Sequence, residues 1–192
     1  MRRWTRRGLS LYLAVLLALV ASVAAADDVS VPVDLQLQLL DRIVRYERSF
    51  AAQTSPVSVL VVTRPSSPES VRVSAQLVAR LRHLGRLGGR PMTVEATLFT
   101  NAGALATTAR SSSARVIYLA PGLAADVPAI GSGLAGLDLI TVSAVGSDVD
   151  RGMVLGFELV SSRPRVVVHL AAARAQNLQF SAQFLRLARV VR

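Results

Sequence analysis

Six residues that fall at the carboxyl ends of predicted strands are the best-placed polar chemistry in the chain: Arg64, Ser66, Ser67, Pro121, Gly122 and Ser147. Open α/β sheets bind ligands at those ends. In Thr63-Arg64-Pro65-Ser66-Ser67 a guanidinium and two hydroxyls precede a helix start, a combination that can hold an anion. No Gly-x-Gly-x-x-Gly or P-loop spacing accompanies them, and Glu69 occupies the first helical turn where a phosphate would gain most. The plainer reading makes them turn and cap residues, since serine and proline are the default chemistry of turns. Asp148 and Asp150 stand two apart in a glycine-flanked loop, but a calcium loop needs several more oxygens and a later glutamate. A solvated loop is the reading adopted.

Other catalytic groups are scarce. The two histidines are His83, on the arginine-bearing side of a predicted helix, and His169, at the end of the last predicted strand. Neither has the spacing of a zinc site. Gly131-Ser132-Gly133 lacks the flanking pattern of a nucleophile elbow. Lysine is absent, which removes Schiff-base and lysine general-base chemistry. No cofactor, metal or enzymatic activity is expected. The exposed basic residues of the closing segment, Arg174, Arg186 and Arg189, are instead candidates for contact with a partner.

The elements that must position these residues follow from periodicity. Residues 35–50 predict a helix with Leu35, Leu39, Ile43, Tyr46 and Phe50 on its apolar face. Residues 57–62 are almost wholly apolar and largely β-branched, as in a strand buried on both faces. Ser66-Ser67-Pro68 opens a second helix with a stripe of Val73, Leu77, Leu81 and Leu84, ended by Gly85, Gly88 and Gly89. The unit repeats: a strand at 92–99, a helix capped by Asn101, a strand at 115–119, a helix interrupted by Pro128, and a strand at 137–142. Two apolar runs around the break Ser161-Ser162-Arg163-Pro164 predict a β-hairpin, and the tail from Phe180 has helical periodicity with Ser181 as its N-cap. Strand–helix alternation argues for a single-domain, open, mostly parallel α/β sheet, flavodoxin- or Rossmann-like, with helices on both faces. A C-terminal antiparallel hairpin and a closing helix complete it.

Residues 1–26 read as an export signal: Arg2, Arg3, Arg6 and Arg7, an apolar run over 9–23, then Ala24-Ala25-Ala26 at the cleavage position. The run is short of the roughly 20 residues a spanning helix needs, although a retained anchor is the alternative. A working domain over 27–192 suits one core. There is no cysteine, so disulfides, thiolate ligands and lipidation of the leader are excluded. Loss of the four leader arginines brings the net charge from +10 to +6. The remaining arginines are scattered, aromatic residues are few, and the export signal removes the chain from the genome, so nucleic acid is not an expected partner.

The closing stretch resembles the signature of the YfiR family of periplasmic proteins, a DUF4154-type domain. The resemblance rests on Gly152, Gly156 and Phe157, the segment Leu170 to Arg174, Leu178 with Phe180 and Ser181, and the run Leu185 to Val191. The amphipathic start, Val33 to Tyr46, and Tyr118 with Pro121-Gly122 add to it. His169 stands where the family pattern has asparagine, and the cysteines of better-studied members are missing, so redox control does not transfer. The resemblance implies a non-enzymatic periplasmic regulator that restrains a membrane-anchored diguanylate cyclase by binding its periplasmic sensor part. It further implies relief of that restraint by an outer-membrane lipoprotein, an effect on cyclic-di-GMP and biofilm, and a homodimer. A sensor kinase is a second kind of membrane-anchored signalling partner. The competing reading is a single-lobed periplasmic solute-binding protein linked to a transporter or sensor kinase, since such binders share exported α/β sheets.

Overall fold

The computed structural model describes residues 31–192, and the leader read over 1–26 lies outside them. Eight strands form one sheet: β1 Val57–Thr63, β2 Arg86–Leu87, β3 Arg90–Leu98, β4 Val116–Leu119, β5 Ile140–Ser143, β6 Leu155–Val160, β7 Arg163–His169 and β8 Arg189–Val191. Their spatial order is β2-β3-β1-β4-β5-β6-β7-β8. From β3 to β6 the neighbours run parallel, β6–β7 is the antiparallel hairpin, and β8 returns parallel to β7. The helices are α1 Val33–Ile43, α2 Arg48–Ala52, α3 Pro68–Leu84, α4 Ala102–Ser111, α5 Val127–Leu134, α6 Leu170–Ala175 and α7 Ala182–Leu185. This is the mostly parallel α/β sheet that the alternation predicts.

The central strand shows why the sheet is covered on both sides. Val57, Val59 and Val61 of β1 face one buried cluster with Leu37, Leu77 and Phe157. Leu60 and Val62 face another, with Leu105, Ile130 and Leu134 of α4 and α5. A run over 57–62 that is apolar but for Ser58, mostly β-branched, and sends alternate side chains to opposite faces buries apolar residues on both. Local caps set the helix limits. Ser67 Oγ accepts from Ser70 N at 3.2 Å at the start of α3, and Gly85 closes that helix at φ +62. Asn101 Oδ1 accepts from Ala104 N at 2.9 Å at the start of α4.

Three expectations are corrected. The helix over 35–50 is broken: α1 ends at Ile43, a 3-10 turn follows over Val44–Tyr46, and Glu47 is extended before α2 begins. The phase therefore shifts, and α1 buries Val33, Gln36, Leu37, Leu40 and Ile43, with Leu35 and Leu39 only part-buried. Leu84, assigned to the α3 stripe, is the last residue of that helix, next to the Gly85 cap, and is exposed. In the tail, Ser181 does cap a helix (Oγ accepts from Phe184 N at 3.3 Å), but α7 lasts one turn and Arg189-Val190-Val191 pairs with Val167-Val168-His169. Two consecutive β-branched residues beside an unpaired strand edge favour a ladder over a helix that has nothing further to cover.

Gln36 shows how the first helix is fixed to the sheet. Its Nε2 donates to Val31 O (2.7 Å) and Ala144 O (3.2 Å), and its Oε1 accepts from the buried Tyr118 hydroxyl. Burial pushes the Tyr118 pKa well up. With the folded pKa above the unfolded one, the neutral phenol's contribution is intact below about pH 10, the unfolded value, and is lost as pH rises beyond it. Tyr118→Phe is therefore expected to lower stability by about 1–2 kcal/mol at neutral pH, leaving Gln36 Oε1 unmet. It is also expected to flatten the fall in urea midpoint above about pH 10. An unchanged alkaline slope in the variant would contradict this.

Candidate functional site

The carboxyl ends of β1 and β4 bring three of the six strand-end candidates together. Arg64 Nε donates to Gly122 O at 2.5 Å, and its Nη2 pairs with Asp126. Its guanidinium carbon also lies 5.4 Å from the centre of the Phe99 ring. Gly122, at φ +84, packs so near Ser67 that a Cβ would meet Ser67 Oγ at 3.3 Å. Ser67 itself caps α3. Ser66 is exposed, Pro121 is buried in the turn, and Ser147 is exposed on the 3-10 turn Gly146–Arg151. The Arg64 guanidinium is thus engaged by a carboxylate and a carbonyl, and it straps the β1 loop to the β4 loop.

The aspartate pair behaves differently from a solvated loop. Asp148 is buried and its Oδ2 accepts from Ser143 Oγ at 2.6 Å, fastening the 3-10 turn to the end of β5. Asp150 is exposed and reaches the other way, to Arg189 at 3.0 and 3.2 Å. Two residues of one helical turn point to different sides, which the spacing alone does not reveal in a loop. Among the described residues no cluster of three histidine, aspartate or glutamate side chains could hold a metal. His83 is exposed, and His169 is an N-cap whose Nδ1 accepts from Ala172 N at 3.2 Å.

Of the three partner candidates, Arg174 and Arg186 are exposed, and Arg189 is tied down. Glu158 on β6 faces Arg165 on β7 in register, with Nε to Oε1 at 2.7 Å, and Arg189 Nε lies 3.3 Å from the same oxygen. With Asp150 on its other side, Arg189 joins β6, β7, β8 and the 3-10 turn. Its hydrogen bonds to Asp150, aided by the charge of Glu158, hold its pKa up against the opposing effect of burial. Glu47 is the residue that sequence reasoning passed over. Fully buried, it accepts from Ser49 N (3.2 Å), Ser49 Oγ (2.6 Å), Phe50 N (2.6 Å) and Gln179 N (3.0 Å). It looked like one more polar position on a long helix. Glutamate is not among the preferred N-cap residues, so nothing in the local sequence marked its role as the cap of α2.

The family model of the YfiR/HmsC-like proteins, DUF4154, matches residues 35–189. The chain belongs to this family. The YfiR/HmsC-like signature residues acquire physical roles here. Gly152 closes the 3-10 turn at φ +121, Gly156 lets that turn lie on β6, and Phe157 is wholly buried behind it. Ala173, Leu178 and Phe184 seat the closing segment on the same core. No curated protein matches this YfiR/HmsC-like chain.

Three solved structures share its fold. They are the ABC domain in complex with L-Trp from Streptococcus pneumonia (12% identity, TM-score 0.59) and a conserved domain protein from Vibrio cholerae (14%, 0.58). The third is the ligand-free, open CD0873, a substrate binding protein with adhesive properties from Clostridium difficile (14%, 0.56). The matches cover 81%, 84% and 84% of this chain but 60% of each of those chains, so this chain spans about three fifths of their length. At such identities the likeness is one of fold alone. Among the described residues no helix is long and apolar enough to cross a membrane.

Proposed function

We propose that this chain is an exported, non-enzymatic regulator, with residues 1–26 removed on export and 27–192 as the working domain. It restrains a membrane-anchored diguanylate cyclase by touching its periplasmic part, and so lowers cyclic-di-GMP and biofilm output. An outer-membrane lipoprotein relieves that restraint, and the working form is a homodimer. The observation that carries this reading is the YfiR/HmsC-like match over residues 35–189, which supports a periplasmic regulatory protein. The contact surface we assign is the C-terminal edge. Leu187 is 75% exposed there, beside exposed Arg186, with Arg174 exposed on α6 and Leu159 and Val160 exposed on β6. Arginine is enriched among the residues that dominate binding energy, and the exposed aliphatic side chains beside it offer apolar area for a partner to bury.

Cross-linking in the producing cells, followed by capture of the chain, is expected to recover an inner-membrane signalling protein. The pair Arg186→Glu and Leu187→Asp is expected to lower that recovery about tenfold or more. Because both side chains are exposed, the melting temperature should move by no more than about 2 °C. Deleting the gene is expected to raise cyclic-di-GMP. Capture without any such membrane protein, together with unchanged cyclic-di-GMP in the deletion strain, would overturn the proposal. The second reading, a single-lobed solute binder serving a transporter or sensor kinase, is supported by the fold likeness to binding proteins. One domain cannot form a two-lobed clamshell by itself. A small solute that raises the melting temperature at micromolar concentration would promote it.

A further inference from the structure

On its β6 side, β5 has a strand partner only at Val142, opposite Leu155. Beyond that pair Thr141 continues the contact by its side chain, Oγ1 accepting from Val154 N at 2.9 Å. The ladder between β5 and β6 is short, and α5 and α6 meet beside it. Their C-terminal ends are joined by two bonds, Gln176 Nε2 to Leu134 O and Gly136 N to Ala175 O, each 2.8 Å. Between them lies a cavity of about 540 Å³ whose walls include Pro128, Thr141, Arg151, His169, Ala172 and Gln176. That size is in the range of small-molecule sites.

Three polar groups on this wall are incompletely used. Gln176 is 3% exposed, and with Nε2 held by Leu134 O its Oε1 is buried and accepts no hydrogen bond. Leu134 O fixes which end of the amide is which, because a carbonyl accepts only from the NH₂ group. His169 uses Nδ1 to accept from Ala172 N, so the neutral ring carries its proton on Nε2 as a donor. Arg151 is exposed and makes no ion pair among the described residues. The remaining wall is alanine, glycine, proline and valine together with Ser132, whose Oγ donates to Pro128 O at 2.9 Å, and Thr141, whose Oγ1 is taken by Val154 N.

We infer that this cavity binds a small organic carboxylate carrying an O–H or N–H donor. The carboxylate lies with Arg151 and the His169 Nε2–H, the donor meets Gln176 Oε1, and the short carbon skeleton lies on the alanines of α6. Oε1 sits behind the cavity wall, and a donor reaches it by a small movement of α6, whose end is joined to that of α5 by the two bonds above. A cation is disfavoured by Arg151, a phosphate dianion finds one guanidinium where it needs more, and a purely apolar guest leaves Oε1 unmet. The inference is independent of the regulatory reading, because its test needs no membrane partner.

The test is calorimetric titration of the purified chain with L-lactate, L-malate and L-serine, and with propionate and succinate as comparisons lacking the donor. At least one donor-bearing acid is expected to bind, about tenfold or more tighter than its donor-less counterpart. Arg151→Gln, at an exposed position, is expected to weaken it by about tenfold. Gln176→Met is expected to erase the preference for the donor while leaving the weaker binding in place. If Gln176→Met does not fold, the Arg151 variant and the ligand comparison still decide. Absence of binding by all three acids at about 10 mM, equal binding of acids with and without the donor, or full affinity in Arg151→Gln would each overturn the assignment.

Discussion

Glu47→Ala is expected to lower the stability of the protein by about 3 kcal/mol and to loosen the attachment of the closing segment to the first helices. The carboxylate is fully buried and takes hydrogen bonds from two amides of α2, from the Ser49 hydroxyl and from Gln179 N, 132 positions away. Removing it leaves Phe50 N and Gln179 N without an acceptor, and a buried donor left unmet costs about 1–3 kcal/mol. Part of the junction survives: Arg48 N to Gln179 O and Ser181 N to Tyr46 O, both 3.0 Å, and the stacking of Tyr46 on Phe184 at 5.9 Å. Glu47→Gln should be the milder change, since it keeps one carbonyl acceptor and turns the other oxygen into a donor facing donors. Urea denaturation measures the loss, and hydrogen exchange at the Gln179 and Phe50 amides locates it. A loss under about 1 kcal/mol, with unchanged exchange at Gln179, would show that water takes over the carboxylate's role.

The second large effect is expected from a single added methyl. In Gly156→Ala the new Cβ would stand 2.5 Å from Val149 Cγ2, and in Gly146→Ala it would stand 2.5 Å from Phe157 O. The 3-10 turn Gly146–Arg151 therefore lies flat on β6, with one glycine on each side of the contact. Val149 is fully buried and β-branched, so it has no free direction in which to yield. Overpacking of this kind costs about 1–3 kcal/mol. For a chain of this size that is a drop of roughly 2–4 °C in melting temperature per kcal/mol. Adding Val149→Ala to Gly156→Ala removes the methyl in the way, and the double variant is expected to recover part of the loss relative to the sum of the two single changes. Strict additivity in that cycle would place the cost of Gly156→Ala somewhere other than the contact with Val149.

The predicted and observed elements agree best where the signal is local. The almost wholly apolar run in β1, the Ser67 and Asn101 caps and the Gly85 stop lie within a few residues of the feature they create. The β6–β7 hairpin is of the same sort, with Ser161 and Ser162 at φ +50 and +60 making its two-residue turn. The candidate site was less legible. Arg64, Ser67 and Gly122 do meet, because loops at the same ends of adjacent parallel strands must. What Arg64 meets there is Asp126, which lies 62 positions on and which nothing near Arg64 announces. Arg189 has the same history: periodicity placed it on a solvated helix face, and pairing with β7 turned it onto Asp150 and Glu158.

The alternation of apolar strands with capped amphipathic helices, the absence of cysteine and lysine, and the closing signature are determined by the order of residues alone. Each is either composition or a pattern shorter than one element. Which polar groups are buried was decided by the fold. Gln36, Glu47, Asp148 and Gln176 look alike in the sequence to any solvated side chain, and they become internal fastenings only when distant backbone arrives to bond them. A strand or a cap is stabilised by its neighbours in the chain, whereas a buried amide or carboxylate is tolerated only by partners that tertiary packing delivers.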